Sequence, residues 1–322
     1  MLNILQETLG RLFYILPSMP SQAQIEITNK CNLDCNMCPR ESLGVEFKHM
    51  QLDLFKKIIN RLNGVSLITL TGWGEPFMHP NIFDMIKICK GKGFQVQLTT
   101  NGVFPRGSIL KKIINSGLDS ISFSIDSLNG KSQFGHENSA AQKNIVTLLE
   151  TRNGHKPKVT LQSTIQKNGG GEIYSLIRWG ASVGIDRVNL GRLDQRFNAE
   201  LPRPSREEEK DILIKANRLG RESGIEIDCI QYAVGKGIQK EIYKIIKYAL
   251  HRFGKHCLKT YTYVYISLNG DVTPCCGLPR HKLDNIIQRD LKDIWQGKKF
   301  IDFREKQTEI CGKCDLWNIK YG

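Results

Sequence analysis

The sequence predicts an α/β fold: a partial (β/α)6 barrel of the TIM type, with a small C-terminal extension built from a β-hairpin plus a helix. Three observations predict it. Short β-rich apolar runs alternate with segments of helical periodicity about six times along the first two thirds of the chain, as expected for a parallel sheet covered by helices. The connections between them are short and rich in glycine and asparagine. The cysteines gather near the start and again near the end, bracketing the barrel with thiol groups. At 322 residues and 40% hydrophobic content, the chain can bury a large core without disulfide staples.

The first strand-like run, Gln24 to Thr28, leads into Cys31-Asn-Leu-Asp-Cys35-Asn-Met-Cys38. This C-x3-C-x2-C spacing supplies three thiolates and withholds a fourth. A closed iron–sulfur site uses four cysteines, and chemistry at a metal needs an open position. Three thiolates in one short loop therefore suit a [4Fe–4S] cluster with one open iron. Structural zinc would call for a second C-x2-C or nearby histidines, and His49, the nearest histidine, stands at no useful spacing.

A helical pattern follows from Leu52 to Leu62, with Leu54, Phe55, Ile58, Ile59 and Leu62 on one face. The strand Val65 to Leu70 then ends in Thr71-Gly-Trp-Gly-Glu-Pro76. The cycle continues with helix Pro80 to Lys90, strand Phe94 to Thr99, helix Ser108 to Ser116 and strand Ser120 to Asp126. Helix Ala140 to Glu150, strand Lys158 to Ile165, helix Glu172 to Val183 and strand Asp186 to Leu190 complete it. In such a barrel the active site lies at the carboxyl ends of the strands. There stand Gly72, Gly74 and Glu75, then Thr99 to Gly102, then Ser122, Ser124 and Asp126, with Gln162, Ser163 and Thr164 in the fifth strand. Glycines permit close backbone approach to a ligand, and a carboxylate beside them can pair with an ammonium group. Hydroxyls and a carboxylate suit a ribose. His79, before Pro80 at a helix start, reads as a packing or capping residue rather than a metal ligand.

In this order, the motifs resemble the radical S-adenosylmethionine (radical SAM) superfamily over residues 22–192. The resemblance implies that Cys31, Cys35 and Cys38 hold a [4Fe–4S] cluster whose open iron is chelated by S-adenosylmethionine. It implies further cofactor contacts from Gly74 and Glu75 to the methionine amine, from Ser124 and Asp126 to the ribose, and from Ser163, Thr164 and Asn101. Met37 stands where the family often has an aromatic residue, and its polarizable sulfur can pack on adenine. Trp73 replaces the first glycine of the usual Gly-Gly-Glu.

The second cysteine group comprises Cys257, Cys275, Cys276, Cys311 and Cys314. Tyr261 to Ser267, an Asn-Gly-Asp turn and Val272-Thr-Pro read as a hairpin, followed by a helical segment from Leu291 to Arg304. This region resembles the SPASM/twitch extension of radical SAM enzymes. The resemblance implies an auxiliary [4Fe–4S] cluster held by Cys257, Cys275, Cys311 and Cys314. Cys275 keeps the glycine spacing from Gly270, with Cys276 as the substitute, and the single-cluster twitch form is expected because no further cysteine follows. A structural zinc at the same four cysteines is the alternative. Cys89 and Cys229 read as small core residues. The expected division is an amphipathic N-terminal helix over 1–21, the barrel over 22–200, a helical linker over 201–256 and the auxiliary cluster region over 257–322.

The formal net charge of +14, with Lys236, Lys240, Lys244, Lys247, Arg252, Lys255 and Lys259 along one segment, suits a solvated helix face, an acidic substrate or an acidic donor. Flavodoxin or ferredoxin is the expected electron donor. No nucleic-acid module is recognisable. The apolar N-terminal stretch ending at Pro17 is too short to span a bilayer. No signal peptide is evident, and oxygen-sensitive clusters point to the cytoplasm.

The leading expectation is a radical SAM oxidoreductase acting on a small molecule, a sugar or aminocyclitol oxidised at an alcohol carbon. It resembles the twitch dehydrogenases of aminocyclitol biosynthesis. Arg192 and Asp194, after the last strand, are the candidate catalytic residues for the alcohol proton. The alternative is a peptide- or protein-modifying enzyme performing epimerisation, thioether formation or enzyme maturation. The short segment before the barrel weighs against a leader-peptide domain. An electron carrier explains the cysteines but not the cofactor constellation.

Overall fold

The computed structural model describes residues 16–43, 46–104, 108–129, 138–152, 154, 156–197, 200–229 and 257–315. The amphipathic run before Leu16 and the lysine run from Lys236 to Lys255 lie outside them. The centre is one ten-stranded sheet. The expected strands are β1 (Gln22–Ile25), β2 (Leu67–Thr69), β3 (Gln95–Thr100), β4 (Ser120–Ser124), β5 (Lys158–Ile165) and β6 (Arg187–Arg192), each parallel to its neighbour. Helices α1 (Leu52–Ile59), α2 (Ile82–Gly91), α3 (Ser108–Asn115), α4 (Ser139–Thr151) and α5 (Gly170–Val183) connect them from β1 onward. Gly184, in the left-handed region at φ +84°, stops α5.

Two strands extend the expected barrel. Beyond α6 (Arg206–Glu222), β7 (Glu226–Cys229) pairs in parallel with β6. The stretch read as a helical linker thus contributes a helix and a seventh parallel strand. On the other side β8 (Tyr263–Ile266) pairs in parallel with β1, placing Tyr265 opposite Gln24. β9 (Asp271–Thr273) and β10 (Asp284–Asn285) follow antiparallel. The expected hairpin is present, and its first strand belongs to the barrel sheet.

Strands β3, β4 and β5 alternate strictly. Val96 and Leu98, Ile121 and Phe123, and Val159 and Leu161 are buried and join the core with Phe55, Ile58, Met85, Ile86, Ile145 and Leu176 of the helices. The intervening side chains are polar. Thr69, Gln97, Ser120, Ser122, Thr160, Gln162, Asn189 and Asp228 line a cavity of about 220 Å³. Alternation, not continuous hydrophobicity, marks a sheet with one face on the core and one on a polar space.

The single helix expected from Leu291 to Arg304 is interrupted. α7 (Leu291–Trp295) gives way at Gly297 to α8 (Lys298–Glu305), and α9 (Gln307–Cys311) follows. A Cβ at Gly297 would lie 2.6 Å from the Asp293 carbonyl oxygen, so the turn off α7 requires glycine. Arg304 is buried beside Trp295 and over the Phe300 ring at 3.8 Å, donating to the Thr260 and Trp295 carbonyls. Trp295 in turn donates its indole N–H to the Pro17 carbonyl at 2.8 Å, tying the extension to the chain just before β1.

Candidate active site and metal centres

The loop after β1 brings Cys31, Cys35 and Cys38 together by tight local bonding. Cys38 N–H donates to the Cys35 carbonyl at 2.9 Å. The Leu33 N–H points at the Cys31 sulfur at 3.4 Å, and the Arg40 N–H serves Cys38. Burial holds the Cys31 and Cys38 thiols above their ordinary range, with these N–H groups acting in the opposite direction.

The turn after β2 is laced to this loop. Gly74 N–H donates to the Thr28 carbonyl at 3.2 Å, and Glu75 N–H to that of Lys30 at 2.9 Å. The approach is close enough that a Cβ at Gly74 would sit 2.4 Å from the Lys30 carbonyl oxygen. Gly72 makes a similar allowance, since its Cβ would fall 2.3 Å from Cγ of Glu26.

Glu75 does not extend into open space. Its carboxylate, only 3% exposed, accepts from Phe77 N–H at 3.0 Å, the Thr100 hydroxyl at 2.7 Å and Asn101 N–H at 2.8 Å. Burial raises this carboxyl to about 7, while the three donors favour the charged form and pull the other way. The side chain expected to meet an amine is therefore engaged in holding the β2 and β3 exits together. Asn101 completes the link, donating to Asn32 Oδ1 at 2.8 Å and pointing the same amide at the Cys31 sulfur, 3.8 Å away.

The remaining expected contacts lie at the next strand ends. Asp126 Oδ1 accepts from Thr164 N–H at 2.7 Å and from the Ser163 hydroxyl at 3.4 Å. Ser124 ends β4 and is half-buried. The Thr164 hydroxyl reaches Met37 Sδ at 4.0 Å, so the cysteine loop extends over the end of β5. His79 packs as expected, with Nε2 on the Met50 carbonyl at 2.9 Å and Nδ1 accepting from Asn81 N–H.

Arg192 and Asp194, the candidates for the alcohol proton, are both held in ion pairs. Arg192 is forked onto the buried Glu209 carboxylate of α6, with Nε 2.7 Å from Oε1, and also reaches Asp315. Asp194 is clamped by Arg196, with Nε 2.9 Å from Oδ1 and Nη2 2.5 Å from Oδ2. Burial alone would raise Asp194, but the Arg196 bonds and charge bring its carboxyl below the usual range. A carboxylate so held is a weak base.

Three features were not foreseen. Glu26, at the end of β1, is buried, accepts from Trp73 N–H at 3.2 Å and has its carboxyl raised by burial. Tyr265 lies beside it from β8, and its hydroxyl favours the charged Glu26 carboxylate against that burial. The Trp73 indole packs edge-on against Phe197 at 5.9 Å. Polar residues recurring at every second position of the strands were the signal for Glu26; nothing local in sequence pairs it with Tyr265.

At the second centre the Cys257 sulfur accepts from the N–H groups of Lys259 and Thr260, and Cys275 from Gly277. Cys257, Cys275, Cys311 and Cys314 interact through their charges, Cys257 with the other three. Burial, with Cys257 and Cys314 adding to it, raises the Cys311 thiol to about 12. Cys276 interacts through charge with Cys275 and lies 3.8 Å from the Lys259 ammonium, which acts on Cys257 and Cys275 as well. Cys89 and Cys229 are buried in the core.

These donors fit iron–sulfur clusters. Among the described residues, no three His, Cys, Asp or Glu side chains close around a point suited to one metal ion, whereas a four-iron cube spreads its cysteines over separate corners. Backbone N–H groups directed at the sulfurs stabilise thiolate ligands and tune a cluster. The buried Trp73 indole N–H, without a hydrogen-bond partner, leaves a donor beside the Gly74 turn for a cofactor with acceptor groups.

Comparison with known proteins gives the same outline. Residues 25–163 match the profile of the Radical SAM superfamily, and residues 257–315 that of an iron–sulfur cluster-binding domain, SPASM. The chain is 25% identical over 306 residues to a tungsten-containing aldehyde ferredoxin oxidoreductase cofactor-modifying protein of Pyrococcus furiosus, covering 87% of this chain and 82% of that protein. It is 27% identical over 291 residues to the antilisterial bacteriocin subtilosin biosynthesis protein AlbA of Bacillus subtilis, covering 86% and 60%. The crystal structure of Streptococcus suis SuiB bound to S-adenosylmethionine shares the fold, with a TM-score of 0.74 and 18% identity over 99% of this chain and 76% of that one.

Proposed function

The chain belongs to the radical SAM superfamily and carries a C-terminal SPASM domain with [4Fe–4S] and S-adenosylmethionine cofactors; on that premise we propose that it modifies a peptide or protein substrate. The observation that carries this reading is sequence similarity along most of the chain to AlbA, a bacteriocin biosynthesis protein. This reading replaces the aminocyclitol expectation as the first choice.

Cys31, Cys35 and Cys38 would hold the cofactor-binding cluster, and Cys257, Cys275, Cys311 and Cys314 the auxiliary one. When bound, the first cluster and S-adenosylmethionine supply one-electron cleavage of a carbon–sulfur bond and a carbon radical able to abstract hydrogen. The chain's own residues hold the geometry. Asn101 and the Gly74 turn fix the cysteine loop against the β2 and β3 exits. Ser124 and Asp126 are assigned to the ribose, Met37 and Thr164 to the adenine side, and Ser163 to positioning Asp126. The buried Trp73 indole N–H, which has no hydrogen-bond partner, would be available to an acceptor group of the bound cofactor. Flavodoxin or ferredoxin is the proposed electron source, in keeping with the net charge of +14.

A second reading, an alcohol-bearing small molecule, is favoured by the cavity of about 220 Å³ lined with hydroxyl and amide groups. The two separate on one experiment. Reconstituted enzyme is incubated anaerobically with S-adenosylmethionine, a reductant and fractions of host extract, and 5′-deoxyadenosine is measured. Stimulation by a macromolecular fraction, abolished by prior protease treatment, is expected. Stimulation confined to the dialysable, protease-resistant fraction would overturn the peptide reading in favour of the small molecule.

A further inference from the structure

The loop leaving β6 joins the two cysteine centres. Arg192, at the strand end, and Arg203 both reach Asp315, the residue after Cys314. Between them Phe197 packs against Trp73 of the Gly74 turn, and the Arg196 guanidinium stands 5.4 Å from the Phe197 ring centroid. On its other side Arg196 faces the auxiliary cysteines. A Cβ at Gly277 would lie 2.6 Å from its Nη2, so the residue after Cys276 must be small for the guanidinium to fit. The charge of Arg196 acts on Cys275, Cys311 and Cys314, while that of Lys259 acts on Cys257, Cys275 and Cys276. Its bidentate bonds to Asp194, with a backbone N–H bond to the same carboxylate at 3.1 Å, keep it from swinging into solvent.

A fixed charge beside a cluster has a calculable consequence. Reduction adds one electron to the cluster and therefore one negative charge. A guanidinium, always protonated, stabilises the reduced form more than the oxidised form, and the protein around it screens this less than water does. Net charge and hydrogen bonding around the sulfurs are established controls of cluster potential.

We infer that Arg196 is a positioning residue whose fixed charge raises the reduction potential of the auxiliary cluster, with Asp194 both anchoring it and partly offsetting it. The barrel's own β6 exit loop would thereby set the electron affinity of the second centre, and its packing on Trp73 links that setting to the cofactor side. The inference rests on the assignment of Cys257, Cys275, Cys311 and Cys314 to that cluster.

The test uses the full chain with Cys31, Cys35 and Cys38 replaced by alanine, which leaves only the auxiliary cluster to titrate by electron paramagnetic resonance. This background should retain about four irons per chain; if it does not, the ligand assignment fails and the inference falls with it. Within it, Arg196→Gln should make reduction about tenfold less favourable, about 59 mV for a one-electron couple. Arg196→Lys should retain most of the wild-type potential, and Asp194→Asn, which keeps the Oδ1 acceptor for Arg196 and removes only the negative charge, should shift it the opposite way. A purely structural role would not produce opposite signs. An unchanged potential in Arg196→Gln with full iron content would overturn the inference. If Arg196→Gln cannot hold iron, Asp194→Asn decides, and a potential that does not rise there overturns it equally.

Discussion

The side-chain amide of Asn101 lies 3.8 Å from the Cys31 sulfur, while its backbone N–H donates to Glu75 Oε2 at 2.8 Å. One residue at the β3 exit thus holds both the cysteine loop and the Gly-Glu-Pro turn. Replacing Asn101 by alanine removes the side-chain half of that arrangement and keeps the backbone half. Partners just outside a metal's ligands are typically worth about 10- to 100-fold in metal affinity or activity. Asn101→Ala should therefore retain less of the cofactor-binding cluster under mild chelation, with the auxiliary cluster unaffected. Iron release followed optically in the wild type and the variant checks this.

Gly74 is constrained by distance rather than by φ. A methyl group there would press 2.4 Å from a backbone oxygen, which cannot move aside cheaply. Gly74→Ala should lower S-adenosylmethionine affinity at least tenfold, measured by equilibrium dialysis on the reconstituted protein. Wild-type affinity would show that the turn lies away from the cofactor.

Glu75 makes stability depend on pH. Its folded carboxyl is raised to about 7 by burial, against 4.5 for the unconstrained group. Between these values the folded state binds the proton that the unfolded state releases, so stability is lost as pH rises. At 1.36 kcal/mol per pH unit, the loss is on the order of 3 kcal/mol relative to Glu75→Gln, which cannot titrate. Denaturant unfolding of both proteins across this range should give curves that converge or cross. Parallel curves would contradict the assignment.

The Arg192–Glu209 pair should be structural. Glu209 is 2% exposed, and removing one member of a buried pair costs about 3–5 kcal/mol because the other is left uncompensated. Glu209→Ala should lower unfolding free energy by less than that amount, because Arg192 keeps Asp315 as a partner, with 5′-deoxyadenosine formation preserved in the protein that remains folded. Selective loss of turnover without loss of stability would restore a chemical role to this end of β6.

What the sequence disclosed was local. Cys31, Cys35 and Cys38 fall within one loop, and β1 to β6 announce themselves by alternation between helical and extended periods. Tyr265 pairs with the β1 strand from across the chain, and no nearby residue signals that. The run Ile225 to Asp228 is legible as strand-like, but nothing near it in sequence says that it pairs with β6 as a further parallel strand. Arg192 and Asp194 were correctly placed at a strand end, but their roles depended on Glu209 and Arg196, and ion-pair partners are chosen in space. Glu75 was legible as a candidate site residue, but the donors that hold its carboxylate, from Phe77, Thr100 and Asn101, come together only in the fold.

The central claim is that two cysteine groups hold two clusters and that the first cleaves S-adenosylmethionine. Its most direct test is anaerobic reconstitution followed by iron counting and 5′-deoxyadenosine analysis of wild type and Cys35→Ala. The prediction is about eight irons per wild-type chain, counting two four-iron clusters, with 5′-deoxyadenosine formed from S-adenosylmethionine and a reductant. Cys35→Ala should lose about half the iron and all of that product. Undiminished 5′-deoxyadenosine from Cys35→Ala would contradict the account.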